Sequence, residues 1–199
     1  MEIIKEKIIQ EISSLQADKG RLLVAIDGRC GSGKTTLAGL LQKELACELI
    51  HMDDFYLRPE QRTAQRGAEP GGNVDYERFL EEVLLPLRAG QTFRYRPFDC
   101  SIWDFKEAIT VVPGAVTLIE GSYACHPTLY AYYDLRVFLT VNKETQAQRI
   151  LLRGGEEKAA QFRDRWIPLE ERYFSSVPVA ERCELRFDTS RAIRPENRD

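Results

Sequence analysis

The sequence predicts an α/β fold of three layers, in which a parallel sheet of about five strands lies between helices on both faces. The first observation is that short apolar runs alternate along the chain with segments of helical periodicity, which is the order of βα units. The second is that the inner runs are continuously apolar, as expected for strands that are buried on both faces. The predicted strands cover residues 21–27, 47–52, 115–119, 135–141 and 183–187.

Length and composition are consistent with one domain over residues 1–199. The chain has 199 residues, of which 43% are hydrophobic, and this is enough to bury a sizeable core. A formal net charge of −3 indicates no general attraction to nucleic acid or to an anionic membrane. The five cysteines are scattered without a C-x-x-C pair, which favours reduced thiols and a cytoplasmic location. No stretch reaches the length of a membrane span.

The first twenty residues predict an amphipathic helix. Ile4, Ile8, Ile12 and Leu15 recur at helical spacing among charged residues, a pattern unlike that of a signal peptide. We expect this helix to end near Gly20 and to be followed by the central buried strand over residues 21–27.

The loop after this strand carries the strongest functional signal. Residues 28–35 match the phosphate-binding pattern G-x-x-x-x-G-K-[ST] at every fixed position, and a helical pattern follows. Glycines let backbone N–H groups turn toward phosphate oxygens, and the helix N-terminus points its positive end at the same anion. The alternative is a glycine-rich turn without a ligand. The predicted nucleotide-binding residues are Gly28, Cys30, Gly31, Ser32, Gly33, Lys34, Thr35 and Thr36.

Three residues of this loop have more specific expectations. Lys34 is expected to reach the β- and γ-phosphates, and Thr35 is expected to hold Mg²⁺. Cys30 is either a thiol of lowered pKa among N–H donors or a small residue packed under the loop, and we favour packing.

The middle of the chain is less regular. Residues 58–73 are polar, glycine-rich and too long for an ordinary connection, which indicates either a mobile functional loop or disorder. A helix is predicted from Phe79, and Pro86 is expected to kink it or to end it at Leu85. Residues 93–96 and 109–112 are candidate partners in a small hairpin inserted over the sheet.

The last third continues the βα order. The strand over residues 115–119 leads into Glu120, and residues 143–174 are mostly helical with an interruption at Gly154 and Gly155. Two adjacent glycines form a hinge at low cost, so we expect a lid over about residues 153–174, with residues 153–166 mobile in the free protein. Residues 183–187 alternate in polarity and predict an edge strand.

Acidic side chains follow the strands at the edge where ligands of such sheets bind. Asp53 and Asp54 end the second strand, and Glu120 ends the third. An isolated acidic pair is equally typical of a helix cap or turn, but beside a phosphate loop a functional role is favoured. We therefore expect a Mg²⁺ site that uses Thr35, Asp53 and Glu120.

Four motifs together resemble the uridine kinase, phosphoribulokinase and nicotinamide riboside kinase superfamily. They are the phosphate loop, then Met52 to Tyr56, then Asn73 to Tyr76, then Ile119 to Gly121, and the similarity extends over roughly residues 20–190. The resemblance implies an ATP- and Mg²⁺-dependent kinase that phosphorylates a hydroxyl of a small molecule, such as a nucleoside or a ribosyl compound. It also implies a P-loop fold that ends in a lid.

The resemblance assigns roles to residues that match its motifs. Asp53 corresponds to the general base, and Glu120 to the Walker B carboxylate. Arg149 and Arg153 correspond to lid arginines that meet nucleotide phosphates, although any one of them also fits a solvated helix face. The acceptor-binding candidates are Asp54, Tyr56, Asp75 and Arg163. The expected catalytic set is Asp53, Lys34, Glu120 and Arg153.

The sequence differs from uridine kinases at one motif and from regulatory GTPases at another. Around Ile102 and Trp103 the chain lacks the histidine and arginine that uridine kinases carry, so uridine specificity does not follow. Asn142 to Thr145 approaches the guanine motif N-K-x-D, but Thr145 lacks the carboxylate that contacts guanine, which argues against a regulatory GTPase. A non-catalytic ATP-binding module remains the other alternative. A small-molecule substrate is the expected partner, and a homodimer is compatible with this interpretation.

Overall fold

A computed structural model describes residues 1–190 of the chain. The strands are β1 (Leu22–Gly28), β2 (Glu48–His51), β3 (Phe93–Tyr95), β4 (Phe98–Asp99), β5 (Asp104–Phe105), β6 (Ile109–Val111), β7 (Val116–Glu120), β8 (Leu135–Thr140) and β9 (Leu185–Asp188). The α-helices are α1 (Glu2–Gln16), α2 (Lys34–Leu45), α3 (Ala64–Ala68), α4 (Tyr76–Phe79), α5 (Leu85–Ala89), α6 (Lys143–Gln161), α7 (Ile167–Ser176) and α8 (Val179–Arg182). None of these helices is long and apolar enough to cross a membrane.

The main sheet has five strands in the order β2-β7-β1-β8-β9, and all neighbouring pairs are parallel. β1 is central, and all seven of its residues are buried. The five predicted strands, the central position of the first and the edge position of the last are therefore confirmed. The carboxyl ends of β1, β2 and β7 meet at one edge, where the candidate site lies.

Two apolar cores cover the sheet, one on each face. Alternate residues of β1 point to opposite sides, so Leu22, Val24 and Ile26 pack with α1 and α2 through residues such as Ile8 and Leu41. Leu23 and Ala25 join the opposite core, which is rich in aromatic side chains, including Phe55, Phe79, Tyr95 and Tyr173. This arrangement gives the predicted three layers and explains why the inner strands are continuously apolar.

The helical segment over residues 76–89 excludes one of the two expectations for Pro86, an end of the helix at Leu85. It consists of α4, a wider π turn over Leu80–Leu84, and α5, and Pro86 lies in the first turn of α5. Proline lacks a backbone N–H, so it is tolerated where the regular hydrogen-bond pattern is already changed. The helical segment therefore continues through Pro86 to Ala89 and does not end at Leu85.

Residues 58–73 are ordered in the structure, with a 3₁₀ turn over Pro59–Gln61 and the short helix α3. Arg66 holds the segment together, because its guanidinium donates to the carbonyl oxygens of Gly72 and Val74, at 2.9 Å each. The same guanidinium pairs with Glu77 and lies over the ring of Tyr76. Contacts of this one arginine hold the segment in place, and the polar composition of the segment did not predict them.

The inserted hairpin is confirmed, since β3 and β6 pair in antiparallel fashion with Phe93 opposite Val111. A second, very short pair, β4 and β5, is nested within it, and the intervening turn exposes Ile102 and Trp103.

The helical region after β8 is interrupted as the two glycines predicted. Gly155 lies within α6 at φ 73° and ψ −177°, a conformation that is essentially restricted to glycine. A π turn over Phe162–Trp166 then joins α6 to α7. The lid region is therefore divided into a short piece of helix between a backbone break and a widened turn.

Candidate active site

The phosphate loop connects the central strand β1 to helix α2. Gly31 and Gly33 have φ values of 73° and 93°, and Gly33 is the residue at which α2 begins. Such positive φ values suit glycine, and here they turn the backbone of the loop toward the N-terminus of α2. The sequence pattern and the local geometry of the loop therefore agree.

Lys34 places a buried ammonium group at the centre of this loop. Its side-chain nitrogen Nζ donates to the carbonyl oxygens of Gly28 (2.7 Å) and Arg29 (3.0 Å) and to Oγ of Ser122 (3.2 Å). Lys34 is 8% exposed, and no carboxylate among residues 1–190 pairs with it. An ammonium group that is held only by neutral oxygen atoms has no counter-ion in the loop, which suits an anionic ligand.

A cavity of about 260 Å³ opens above the loop. It is bounded by the loop itself, the carboxyl ends of β2 and β7, and the lid region. Most of the predicted site residues line it, namely Cys30, Gly31, Gly33, Lys34, Thr35, Thr36, Asp53, Tyr56, Glu120, Arg149 and Arg153. The structure thus brings together residues that are far apart in the sequence.

Gly28 and Ser32 belong to the loop but do not line the cavity. Gly28 contributes the carbonyl oxygen that accepts from Lys34. Ser32 is fully buried, its carbonyl oxygen accepts from Oγ1 of Thr189, and its own Oγ has no hydrogen-bond partner within the described residues. Their contribution to the site is therefore through the backbone.

Glu120 is the most enclosed acid of the cavity, with 5% of its surface exposed. Both of its carboxylate oxygens lie 3.3 Å from Oγ1 of Thr35. Its Oε1 also lies 2.6 Å from Nδ1 of His51, the residue that pairs with Glu120 in the β2–β7 register. This hydrogen bond raises the pKa of His51. No local sequence pattern identifies His51, because the strand register that joins it to Glu120 is a long-range feature.

Thr35, Glu120 and Asp53 form a donor set that fits Mg²⁺ together with nucleotide phosphates. Mg²⁺ in such sites is bound by one or two carboxylates, a hydroxyl and phosphate oxygens, and it keeps several waters. Within residues 1–190, no group of three or more His, Cys, Asp or Glu side chains is arranged to hold a metal alone. The chemistry of the donor set therefore fits a metal that arrives with the nucleotide.

Asp53 lies at the mouth of the cavity, where its Oδ1 accepts a hydrogen bond of 3.0 Å from the hydroxyl of Tyr56. Its side chain reaches solvent, but surrounding protein atoms partly remove its hydration, and this raises its pKa. The nearby Glu120 raises this pKa further, while Tyr56, Lys34 and His51 oppose the shift. A carboxylate with a raised pKa is a better proton acceptor than an ordinary one.

Three predicted acceptor-binding residues do not lie on this cavity. Asp54 points elsewhere and accepts a hydrogen bond from the hydroxyl of Tyr95. Asp75 is buried, caps α4 by accepting from the N–H of Arg78, and accepts a second bond from Nε2 of Gln61. Arg163 is exposed, pairs with Asp164, and lines a separate groove on the outer side of α6.

Each of the three residues has a partner away from this cavity, and their roles in acceptor binding stay predictions. Asp75 is used for helix capping because its carboxylate is within reach of the free N–H groups at the start of α4. Arg163 lines the separate groove and pairs with Asp164, whereas Trp166 of the same π turn lines the cavity.

The two lid arginines differ in how their guanidinium groups are engaged. Arg149 donates to the carbonyl oxygens of Gly31 (3.0 Å) and Thr189 (2.6 Å), so its guanidinium supports the backbone of the phosphate loop. Arg153 lines the cavity, lies 5.5 Å from the ring centre of Phe162, and has no carboxylate partner among the described residues. Of the two, Arg153 has the guanidinium that remains available to a phosphate.

Glu170 of α7 is a functional position that sequence reasoning missed. It is 4% exposed, and its carboxylate accepts from the backbone N–H of Cys30 (2.9 and 3.1 Å) and from Oγ of Ser122 (2.5 Å). The adjacent Glu171 pairs with Arg29. Helix α7 is thereby attached to the front of the phosphate loop, a contact between residues some 140 positions apart that no local pattern reveals.

Cys30 is packed under the loop as the favoured interpretation predicted. Gln146 of α6 donates from Nε2 to the carbonyl oxygen of Cys30 at 2.9 Å. Burial raises the pKa of the Cys30 thiol well above its usual value, and the carboxylate of Glu170 raises it further. The alternative of a reactive thiolate is therefore wrong for this conformation.

The comparisons with known proteins give structural neighbours only. No family model and no curated protein matches the sequence. A possible uridine kinase from Bacillus stearothermophilus superposes with a TM-score of 0.69 at 24% identity, over 94% of this chain and all 100% of that one. A proposed fructose transport system kinase from a Silicibacter species has a TM-score of 0.68 at 25% identity, over 84% of this chain and 90% of that one.

A third neighbour is a kinase named for a different small molecule, D-glycerate. The D-glycerate 3-kinase from Cryptococcus neoformans has a TM-score of 0.65 at 17% identity, over 94% of each chain. These likenesses, together with the five-stranded parallel sheet, confirm the superfamily resemblance at the level of the fold. The chain has the fold of the uridine kinase-like P-loop kinases.

Proposed function

We propose that the protein is an ATP- and Mg²⁺-dependent kinase that transfers the γ-phosphoryl group to a hydroxyl of a small molecule, a nucleoside or a ribosyl compound. The observation that carries the proposal is the content of one cavity. It is lined by the buried ammonium of Lys34, the Thr35 and Glu120 oxygens, and the carboxylate of Asp53. Phosphoryl transfer requires a phosphate cradle, a metal site and a group that accepts the proton of the hydroxyl.

Each residue has a distinct task in this proposal. The loop N–H groups and Lys34 bind the β- and γ-phosphates, and Thr35 and Glu120 hold Mg²⁺, which neutralises charge on the phosphates. His51 orients Glu120 through the 2.6 Å contact with its Oε1. Asp53 orients the acceptor hydroxyl and accepts its proton, and Tyr56 keeps that carboxylate in place.

Arg153 completes the proposed transition-state contacts from the lid side. Charge on the transferring phosphoryl group spreads over its oxygen atoms, and the planar guanidinium suits such an anion. The preference for a nucleoside or ribosyl acceptor rests on the motif resemblance. The cytoplasmic location rests on the scattered cysteines, and both this location and a homodimer stay predictions.

The test is release of ADP from MgATP against a panel of nucleosides, ribosyl compounds and simple alcohols. We expect ADP release that depends on at least one added acceptor. Lys34→Ala is expected to abolish it while leaving the circular dichroism spectrum and melting temperature essentially unchanged, because Lys34 acts on phosphates. A protein that binds ATP but releases no ADP with any acceptor would support the non-catalytic module instead.

A further inference from the structure

A second cavity, of about 410 Å³, adjoins the first. The two share Tyr56, Asn73 and Trp166 as lining residues, so the second cavity begins next to the residue that holds Asp53. Its volume is in the range of small-molecule sites. A molecule that occupies it has a path to the Asp53 carboxylate and to the end of the phosphate loop.

Three arginines line this second cavity, and they come from two separate parts of the chain. Arg62 follows the 3₁₀ turn at Pro59–Gln61, whereas Arg165 lies in the π turn and Arg172 in α7. Arg62 lies 4.5 Å from the ring centre of Trp103 and Arg165 lies 4.7 Å from that of Trp166, which limits their movement. Arg172 donates from Nη1 to the carbonyl oxygen of Gly67.

The charges of this cavity do not cancel. None of the three arginines forms an ion pair with a carboxylate in the part of the chain that the structure describes. The two acids on the cavity are engaged elsewhere: Glu69 accepts from the Tyr76 hydroxyl and lies near Arg66, and Asp164 pairs with Arg163. Arg62 donates to the carbonyl oxygen of Leu57, so its guanidinium, like that of Arg172, makes hydrogen bonds to neutral oxygen atoms but has no carboxylate partner. Such a concentration of positive charge in a protein of net charge −3 is a local feature.

We propose that the second cavity is the acceptor subsite and that it selects a small molecule that carries a phosphate or carboxylate group in addition to the hydroxyl that is phosphorylated. This inference rests on the proposed function and makes the substrate class more specific. The guanidinium fork binds both anions through paired hydrogen bonds, so the arginines recognise their shared chemistry. Asn73, whose buried Nδ2 has no hydrogen bond of normal geometry with a described residue, lies where the cavities meet and suits an oxygen of the acceptor.

Binding is tested separately from turnover through the protein's two tryptophans, Trp103 and Trp166, which both contact arginines of the cavity. With the phosphate loop filled by MgADP, tryptophan fluorescence is followed during titration with D-ribose 5-phosphate and D-glycerate. Their neutral partners, D-ribose and glycerol, are the matched controls. We expect saturable changes with at least one anionic compound, at concentrations ten-fold or more below any response to its neutral partner. Whether the phosphate or the carboxylate compound responds distinguishes the two sources of charge.

Variants then assign the response to the arginines. Arg165→Gln and Arg172→Gln are each expected to raise the apparent dissociation constant of the anionic compound about ten-fold. Lys158→Gln is the control, since it removes a cation from the same lid region that lines neither cavity, and it is expected to leave binding unchanged.

Two results would overturn the inference: equal response to neutral and anionic compounds, or anion binding that both arginine variants leave unaltered. Neither result touches the proposed kinase activity, which is measured separately by ADP release with the acceptor panel. Conversely, anion binding without ADP release from any acceptor would contradict the proposed function and leave the subsite standing.

Discussion

Asp53 and Asp54 are adjacent in the sequence but lie in different environments. Asp53 lines the phosphate-loop cavity and accepts from Tyr56, whereas Asp54 accepts from Tyr95 beneath the inserted hairpin. The sequence predicted an acidic pair at the end of β2, and the 3₁₀ turn over Met52–Phe55 determines which of the two faces the cavity.

This difference predicts the effect of removing each carboxylate. Asp53→Asn keeps the size of the side chain but removes the proton acceptor, so turnover is expected to fall by roughly 10²- to 10⁴-fold with ATP binding largely unchanged. Asp54→Asn is the matched control and is expected to change kcat by less than about three-fold. Steady-state kinetics with MgATP and an acceptor check both variants, and a larger defect in Asp54→Asn would contradict the assignment of the base.

The raised pKa of Asp53 gives this residue a signature in the pH profile. A general base works only when it is deprotonated, so activity is lost as the pH falls through its pKa. Because burial raises that pKa above the ordinary 3.8, we expect the acidic limb of kcat/KM for the acceptor to lie above this value. Full activity down to pH 4 in protein that stays folded would contradict the role of Asp53.

At the residue scale, the motif positions were predictable and their hydrogen-bond partners were not. The positions of Lys34, Thr35 and Glu120 in the site were predictable because each lies in a pattern of eight residues or fewer, and these patterns serve the binding of phosphate and its metal. Asp75 and Arg163 were expected at the acceptor, and the structure gives each a nearby partner that no local pattern displays. His51 and Glu170 reach the site only through strand register and helix packing, which a single sequence does not display.

At the scale of elements, α7 is the helix that connects the second cavity to the phosphate loop. Glu170 contacts the loop backbone, while Pro168, Leu169 and Arg172 of the same helix line the second cavity. A negative charge at the loop repels the terminal phosphate of ATP more strongly than it repels ADP, because ATP carries the additional charged group.

Glu170→Gln is therefore expected to tighten MgATP binding by roughly three- to ten-fold, with a smaller effect on MgADP. Glu171→Gln is the control, because Glu171 is the neighbouring carboxylate and pairs with Arg29 at the surface. Calorimetric titration of both nucleotides measures the difference. If Glu170→Gln weakens MgATP binding instead, its carboxylate supports the bound loop and does not oppose the γ-phosphate.

The backbone break at Gly155 is the second feature of the elements that bears on function. Arg153 lies just before the break and Trp166 lies at the end of the piece that follows, and both line the cavity. We expect Arg153→Ala to lower kcat far more than it raises KM for ATP, because its contact strengthens in the transition state.

Hydrogen exchange checks the accompanying motion. Residues 153–166 are expected to exchange rapidly in the free protein and to become protected when a non-hydrolysable ATP analogue and an acceptor are both bound. Equal protection in the two states would contradict closure of a lid.

At the scale of the whole molecule, the sheet and its layers were predictable because burial on both faces imposes continuous apolar runs. The course of residues 58–73 and the passage of the helix through Pro86 were not predictable. Order in the first depends on Arg66 reaching carbonyl oxygens across the segment, and the second depends on a π turn whose hydrogen bonds have no sequence signature. Residues 58–73 border the second cavity, and the helical segment around Pro86 packs in the aromatic core.

The central claim is that the protein moves the γ-phosphoryl group of ATP to the hydroxyl of a small molecule. Phosphorus NMR of a reaction with MgATP and the acceptor selected by ADP release follows that group directly. We expect a new phosphomonoester resonance that grows in step with ADP and is lost in Lys34→Ala and Asp53→Asn. Inorganic phosphate as the sole new product, at a rate independent of the acceptor, would contradict the claim.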